Sequence, residues 1–269
     1  MRLKRRMLKS LSLTLALVFL SASARADVFM ENLTWMELRD QIAQGSTTVI
    51  VPIGGTEQNG PYMALGKHNA RVSFLAKLIA EKLGHCLVAP TVAYVPEGEI
   101  DPPTQHMKFP GTLTISDAIF ISMLKDTGRS LRHAGFKTIV LIGDHGGYQS
   151  DLTKVADSLN KEWAGKAKAV GLIQYYALSR EPYSAFLRSS GFTDQDIGIH
   201  ASGSDTSLEL ATAPDMVRSD KLSDQKLATP ANGVYGASPA KATAALGQKG
   251  VDLIVAGTVS AIQSAIGVQ

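Results

Sequence analysis

Apolar and polar positions along the chain switch repeatedly between a strand period and a helix period. Residues 47–55 (TTVIVPIGG) form a β-branched run that ends in two glycines, which predicts a strand entering a loop. Residues 70–84 place Val72, Leu75, Leu78 and Ile79 at helical spacing and close on Gly84, which predicts a helix. A second strand is expected over residues 86–95. Residues 116–135 open on a Ser cap and end in His-Ala-Gly, so a helix is expected there. Residues 137–147 (KTIVLIGDHGG) read as an apolar strand running into a glycine loop. A helix over residues 150–163 and a strand over residues 169–178 follow.

Strands that are apolar throughout and alternate with helices imply a mainly parallel sheet covered on both faces, a three-layer α/β/α domain. Ligands of such sheets bind beyond the carboxyl ends of the strands. The loops GGTEQNG and GDHGG both fall there. Residues 95–114 hold four prolines and exclude a regular helix, and irregular stretches of that length are often functional. No internal repeat, low-complexity tract or linker divides the rest, so one domain over residues 27–269 is expected.

The first 26 residues change the charge picture. Arg2, Lys4, Arg5, Arg6 and Lys9 precede a short apolar run and the small-x-small end Ala24-Arg25-Ala26. This order predicts an export signal cleaved after Ala26, and hence a periplasmic or secreted protein without a membrane anchor. The chain has 27 Lys+Arg against 24 Asp+Glu. Six of those basic residues and no acids precede Asp27, leaving 21 against 24 in the mature part. A nucleic-acid-binding face is therefore not supported. The one cysteine, Cys86, excludes an internal disulfide and a cysteine-cluster zinc site.

Metals that activate water need carboxylates and neutral imidazoles converging from separate loops with one position open. Glu57 and His68 after the first strand, His145 after the central one, and Asp205 in HASGSDTSLELA are the candidates. A lone strand-end histidine more often fixes its loop than binds a metal. Shared placement at one end of a sheet favours the metal. Neither glycine loop has the spacing of a phosphate-binding motif, and no G-x-S-x-G elbow is present.

Five segments, VPIGGTEQNGP, FPGTLTIS, GDHGG, HASGSDTSLELATAPDMV and GVYGASPAKATAALGQKG, resemble in order those of the creatininase family of metal-dependent amidohydrolases. The resemblance implies a homohexamer and a two-metal site (zinc, manganese or iron) that hydrolyses a C–N bond of a small, often cyclic amide. The family loop reads E-Q-H-G-P-H followed by T-D. Glu57 matches its glutamate, whereas Asn59 and Tyr62 replace the histidines and His68 stands at the aspartate. His145 matches the histidine of H-G-G-N, with Tyr148 at the asparagine position. Asp205 shortens the second glutamate of H-A-G-E-x-E-T-S, and Gly203 replaces the first.

An imidazole has one lone pair where a bridging carboxylate has two oxygens, and an amide is a weak ligand. The expected centre is therefore a single divalent metal, zinc before manganese or iron, on Glu57, His68, His145 and Asp205. Under the same resemblance His200 orients the substrate or moves a proton, and amides at Gly146 and Gly147 stabilise an oxyanion. His106, Tyr148 and Asn59 are left to bind a small-molecule substrate. A lactone or ketone-ring hydrolase and a retired periplasmic binding protein are the rival readings.

Overall fold

The computed structural model describes residues 27–267, so the expected export signal lies outside the described residues. Four strands, β1 (Thr48–Ile53), β2 (Cys86–Val88), β3 (Thr138–Gly143) and β4 (Lys168–Gly171), form one sheet in the order β2-β1-β3-β4. Every pairing is parallel, with Thr48 opposite both Cys86 and Thr138, and Thr138 opposite Lys168.

Side chains of a strand alternate between faces, and both central strands are apolar on each. Ile50, Val140 and Ile142 point to one core, shared with α2 (Lys67–Leu83) and the long helix α9 (Ala244–Ile266). Val49, Val51, Ile139 and Leu141 point to the other, shared with α3 (Asp117–Ala134) and α4 (Gln149–Trp163). The result is the three-layer α/β/α arrangement. α3 is held as its sequence predicts: the Ser116 hydroxyl accepts the Ile119 N–H, and Gly135 closes the helix at φ 117°. The remaining helices are α1 (Trp35–Ala43), α5 (Gln174–Arg180), α6 (Tyr183–Ser189), α7 (Asp194–Ile197) and α8 (Gly203–Thr212). Among the described residues no helix is long and apolar enough to cross a membrane.

Two strands are shorter than their patterns predict. β2 stops at Val88, because Pro90 has no N–H for a ladder; beyond it the chain meets β1 through the Ala89 N–H and the bridge Ile53–Val92, and then folds on itself through the bridge Val95–Thr114. β4 stops at Gly171, and the aromatic stretch that follows turns into α5. Burial of Tyr175 on that helix supplies the apolar signal that reads as strand.

Candidate metal centre

The carboxyl ends of β1 and β3 deliver Glu57 and Asp144-His145. The irregular stretch after β2 returns over them with Glu97 and His106. The first turn of α2 brings Lys67, His68 and Arg71, and α8 brings Asp205 just after His200. Gln105 and Ala201, each beside a site histidine, hold left-handed φ values of 47° and 55°, the kind of backbone strain that clusters at functional sites. Most of these groups line a cleft of about 340 Å³, and Glu57 and Glu97, with no exposure, lie beneath His106 and His145 at its floor.

Two buried carboxylates and two imidazoles converge at the floor. One ligand atom each of Glu57, Glu97, His106 and His145 lies within 4.8 Å of the others. His106 Nε2 and His145 Nε2 are 3.2 and 3.5 Å from Glu57 Oε2, and His145 Nδ1 is 3.7 Å from Glu97 Oε2. Glu57 Oε2 and both oxygens of Glu97 are buried without a hydrogen-bond partner. Burial and the neighbouring Glu57 push the Glu97 carboxyl up to about 9. Burial lowers His145 to about 4, so its ring is neutral at pH 7. Orphaned carboxylate oxygens beside neutral imidazoles fit a divalent cation, which would compensate both acids at once.

A network of ion pairs surrounds this cluster. His68 bridges two carboxylates, with Nδ1 at 2.6 Å from Asp144 and Nε2 at 2.8 Å from Glu57. Both partners are carboxylates held below their ordinary range and can only accept, so both ring nitrogens donate; burial and Lys67 push the His68 pKa down, but Glu57 and Asp144 outweigh them and the net shift is upward. Arg71 reaches Asp144 at 2.7 Å and Asp205 at 3.2 Å. Lys67, with no side-chain exposure, pairs with Asp205 at 2.9 Å and lies 3.8 Å from Glu57. Burial alone would raise Glu57 and Asp205. His68 holds the first, and Lys67 with Arg71 the second, well below the usual carboxylate range.

The structure brings Glu57 and His145 together as expected of ligands, and it adds His106 and Glu97. It places His68 and Asp205 differently: both ring nitrogens of His68 are engaged by carboxylates, and Asp205 is neutralised by Lys67 and Arg71. Asn59 turns its amide into its own loop, donating to the carbonyls of Glu57 and Ala64 at 3.0 and 2.9 Å, and does not face the cleft. Tyr148 is buried too. Its hydroxyl donates to the carbonyls of Ile53 and Gly54 and accepts the His145 N–H at 3.1 Å, so it braces the histidine and contacts no substrate space. The Gly147 N–H is directed to His145 Nδ1 at 3.3 Å and is unavailable to an oxyanion, whereas Gly146 lines the cleft. His200 lines the cleft with Nε2 donating to the Gln58 carbonyl at 2.9 Å, which leaves Nδ1 as an acceptor.

Glu209, one turn beyond Asp205 on α8, is buried with both oxygens unpartnered and Arg71 4.0 Å away. Burial pushes its carboxyl up to about 7 against the pull of Arg71. A native pKa above the unfolded value means that stability falls as pH rises through the window from about 4.5 to 7. Glu209→Gln should therefore raise the melting temperature at pH 8 by several degrees, from up to about 3 kcal/mol, and leave it nearly unchanged at pH 4.5. Calorimetry at the two pH values checks this. An equal shift at both would reject it.

A parallel α/β/α sheet with carboxylates and imidazoles gathered at its carboxyl edge is the architecture of a metal-dependent hydrolase. The chain belongs to the creatininase family, whose profile, described as creatinine amidohydrolase, matches residues 31–262. It is 29% identical over 222 residues to creatinine amidohydrolase of Pseudomonas putida, covering 81% of this chain and 84% of that one. It is 31% identical over 182 residues to the mycofactocin precursor peptide peptidase of Mycolicibacterium smegmatis, covering 65% and 61%. The solved structure described as "Creatininase Mn" superposes with a TM-score of 0.75 at 27% identity, covering 89% of this chain and 98% of the other.

Proposed function

We propose that this chain hydrolyses the C–N bond of a small amide, using one divalent ion held by Glu57, Glu97, His106 and His145. The observation that carries the reading is the set of buried, partnerless oxygens on Glu57 and Glu97 facing two imidazoles at the floor of the cleft. A divalent ion in such a site lowers the pKa of a bound water from 15.7 toward about 7 and polarises a carbonyl. The chain's own groups supply the rest. His68, fixed by Asp144, donates to Glu57 Oε1 and so leaves Oε2 directed at the cluster. Burial and Lys67 lower His200 to about 3, so Nδ1 accepts a hydrogen bond from a substrate N–H and does not store a proton. The Gly146 amide borders the space where an oxyanion would develop. The relatives act on creatinine and on a peptide by name, and a cleft of about 340 Å³ favours the small, cyclic end of that range.

Zinc-loaded protein should retain about one ion per subunit by elemental analysis, and it should hydrolyse members of a cyclic-amide panel. Chelation should abolish this, and added zinc restore it. Light scattering on the same sample tests the homohexamer that the family resemblance implies. Two tightly held ions per subunit would refute the single-ion reading. No bound ion, with no loss of melting temperature on chelation, would reject the hydrolase.

A further inference from the structure

The cleft is more cationic than its ion pairs require. Six of its lining residues carry charge, Lys67, His68, Arg71 and Arg180 against Asp144 and Asp205, and the buried Glu57 behind them answers His68. Lys67 and Arg71 are satisfied by the two aspartates at 2.7 to 3.2 Å. Arg180 is left over. It ends α5 at the mouth of the cleft, and among the described residues its one hydrogen bond is a long 3.4 Å contact from Nη1 to the Ile199 carbonyl. Among the described residues, no carboxylate lies within ion-pair distance of it.

One turn earlier on the same helix, Tyr176 continues this wall down to the floor. A Cβ on Gly146 would stand 2.8 Å from the Tyr176 hydroxyl, so the glycine beside His145 is what lets the ring lie against the loop. Ser179 donates to the Tyr176 carbonyl at 2.7 Å and fixes this turn, while the phenol itself makes no hydrogen bond among the described residues. Arg180 acts on that phenol, opposing the rise that burial imposes. The rim beside Arg180 is apolar: Ile199, whose carbonyl Arg180 contacts, and Tyr235 are 73% and 41% exposed. From floor to mouth the wall thus reads imidazole, phenol hydroxyl, free guanidinium, bordered by a hydrocarbon rim.

We propose that the substrate of this cleft carries a carboxylate besides the hydrolysed amide, and that Arg180 binds this carboxylate with the Tyr176 hydroxyl as second donor. The inference rests on the hydrolytic reading of the same cleft for the fate of the amide, but the anion anchor is a separate physical feature. A guanidinium fork matches a carboxylate with two parallel hydrogen bonds, and the low-dielectric rim strengthens them. Ile199 and Tyr235 would cover the carbon skeleton between the two polar ends. The substrate class is a small amide acid, such as a lactam or cyclic ureide bearing a carboxyl group.

Two matched pairs test it on the zinc-loaded full-length enzyme: 2-pyrrolidinone with 5-oxoproline, and dihydrouracil with dihydroorotate. The acid of at least one pair should show a kcat/KM about tenfold or more above its neutral partner. Arg180→Met should raise KM for the acid by about tenfold to a hundredfold, with a loss on the acid exceeding that on the neutral partner by about tenfold. Arg180→Lys should recover only part of this, since an ammonium keeps the charge but not the fork. Tyr176→Phe should raise KM for the acid by a smaller factor. Calorimetric titration of the four acids and amides is read alongside. Arg180-dependent binding of an acid without turnover would uphold the anchor and sink the hydrolytic reading. Turnover without preference for the acids, or equal losses on both members in Arg180→Met, would overturn the anchor. Absence of both turnover and binding for the acids would overturn it as well.

Discussion

Glu97→Gln and His145→Ala are each expected to weaken zinc binding by more than about a hundredfold and to abolish hydrolysis, whereas His68→Gln should weaken it by no more than about ten- to a hundredfold. The difference follows from where each side chain ends. Glu97 and His145 present ligand atoms to the same small volume as Glu57. His68 meets Glu57 on Oε1, at 2.8 Å, and Asp144 on its other nitrogen. In the proposed centre it orients Glu57 and offers no free ligand atom. Loss of such an orienting partner typically costs ten- to a hundredfold in affinity, and loss of a ligand from a four-residue set costs more. Glu97 adds a signature of its own. Its carboxyl stands near pKa 9 without a cation, so binding near pH 7 should displace about one proton from it, and Glu97→Gln should remove that release. Titration calorimetry in buffers of different ionisation enthalpy measures both affinity and protons. A His68→Gln variant that loses zinc as completely as His145→Ala would return His68 to the ligand set and reject this geometry.

The strand-end loops made half of this cluster legible. Glu57 and His145 each follow a run of apolar residues that could only be a central parallel strand, and the ends of such strands are where ligands gather. The three layers were legible for the same reason, because Val49 to Ile53 and Ile139 to Ile142 are apolar on both faces. Glu97 was not legible. It sits in a proline-rich stretch with no periodicity, and its approach to Glu57 depends on how residues 89–114 return over β1. The bridges Ile53–Val92 and Val95–Thr114 set that path, and they join residues far apart in sequence. From sequence, His106 reads as a pocket-wall residue, and nothing local distinguishes a wall histidine from a ligand. His68 and Asp205 carry ligand chemistry by residue type, and only the burial of Lys67 and Arg71 reveals that their charges are already answered. A lysine at 67 and an arginine at 71 share one face of the first helical turn. Their spacing, together with an apolar helix around them, was the signal available for a buried ion network.

That network sets the second large effect. Lys67→Met keeps the length and apolar stem of the side chain but removes the ammonium from between Asp205, at 2.9 Å, and Glu57, at 3.8 Å. Asp205 then retains Arg71 at 3.2 Å and the Ala201 N–H at 3.1 Å, which satisfy its hydrogen bonds without balancing the buried charge. Breaking a buried ion pair on one side typically costs about 3–5 kcal/mol, so the melting temperature should fall by about 10 °C or more at pH 7. Removing both partners should cost much less than the sum. Asp205→Asn in the Lys67→Met background is therefore expected to recover stability, and the double-mutant cycle should give a coupling of at least about 2 kcal/mol. The pH dependence has a fixed sign. Asp205 is held well below its ordinary pKa in the native protein, so the stability it contributes is present above the unfolded value near 4 and is lost as pH falls below it. The gap between wild type and Lys67→Met should accordingly narrow as the pH falls through that value. Urea unfolding at pH 7 and pH 4 on the four chelated proteins measures the cycle. Additive costs, or a Lys67→Met variant as stable as wild type at pH 7, would show that the ammonium is not what balances the carboxylates beside the metal cluster.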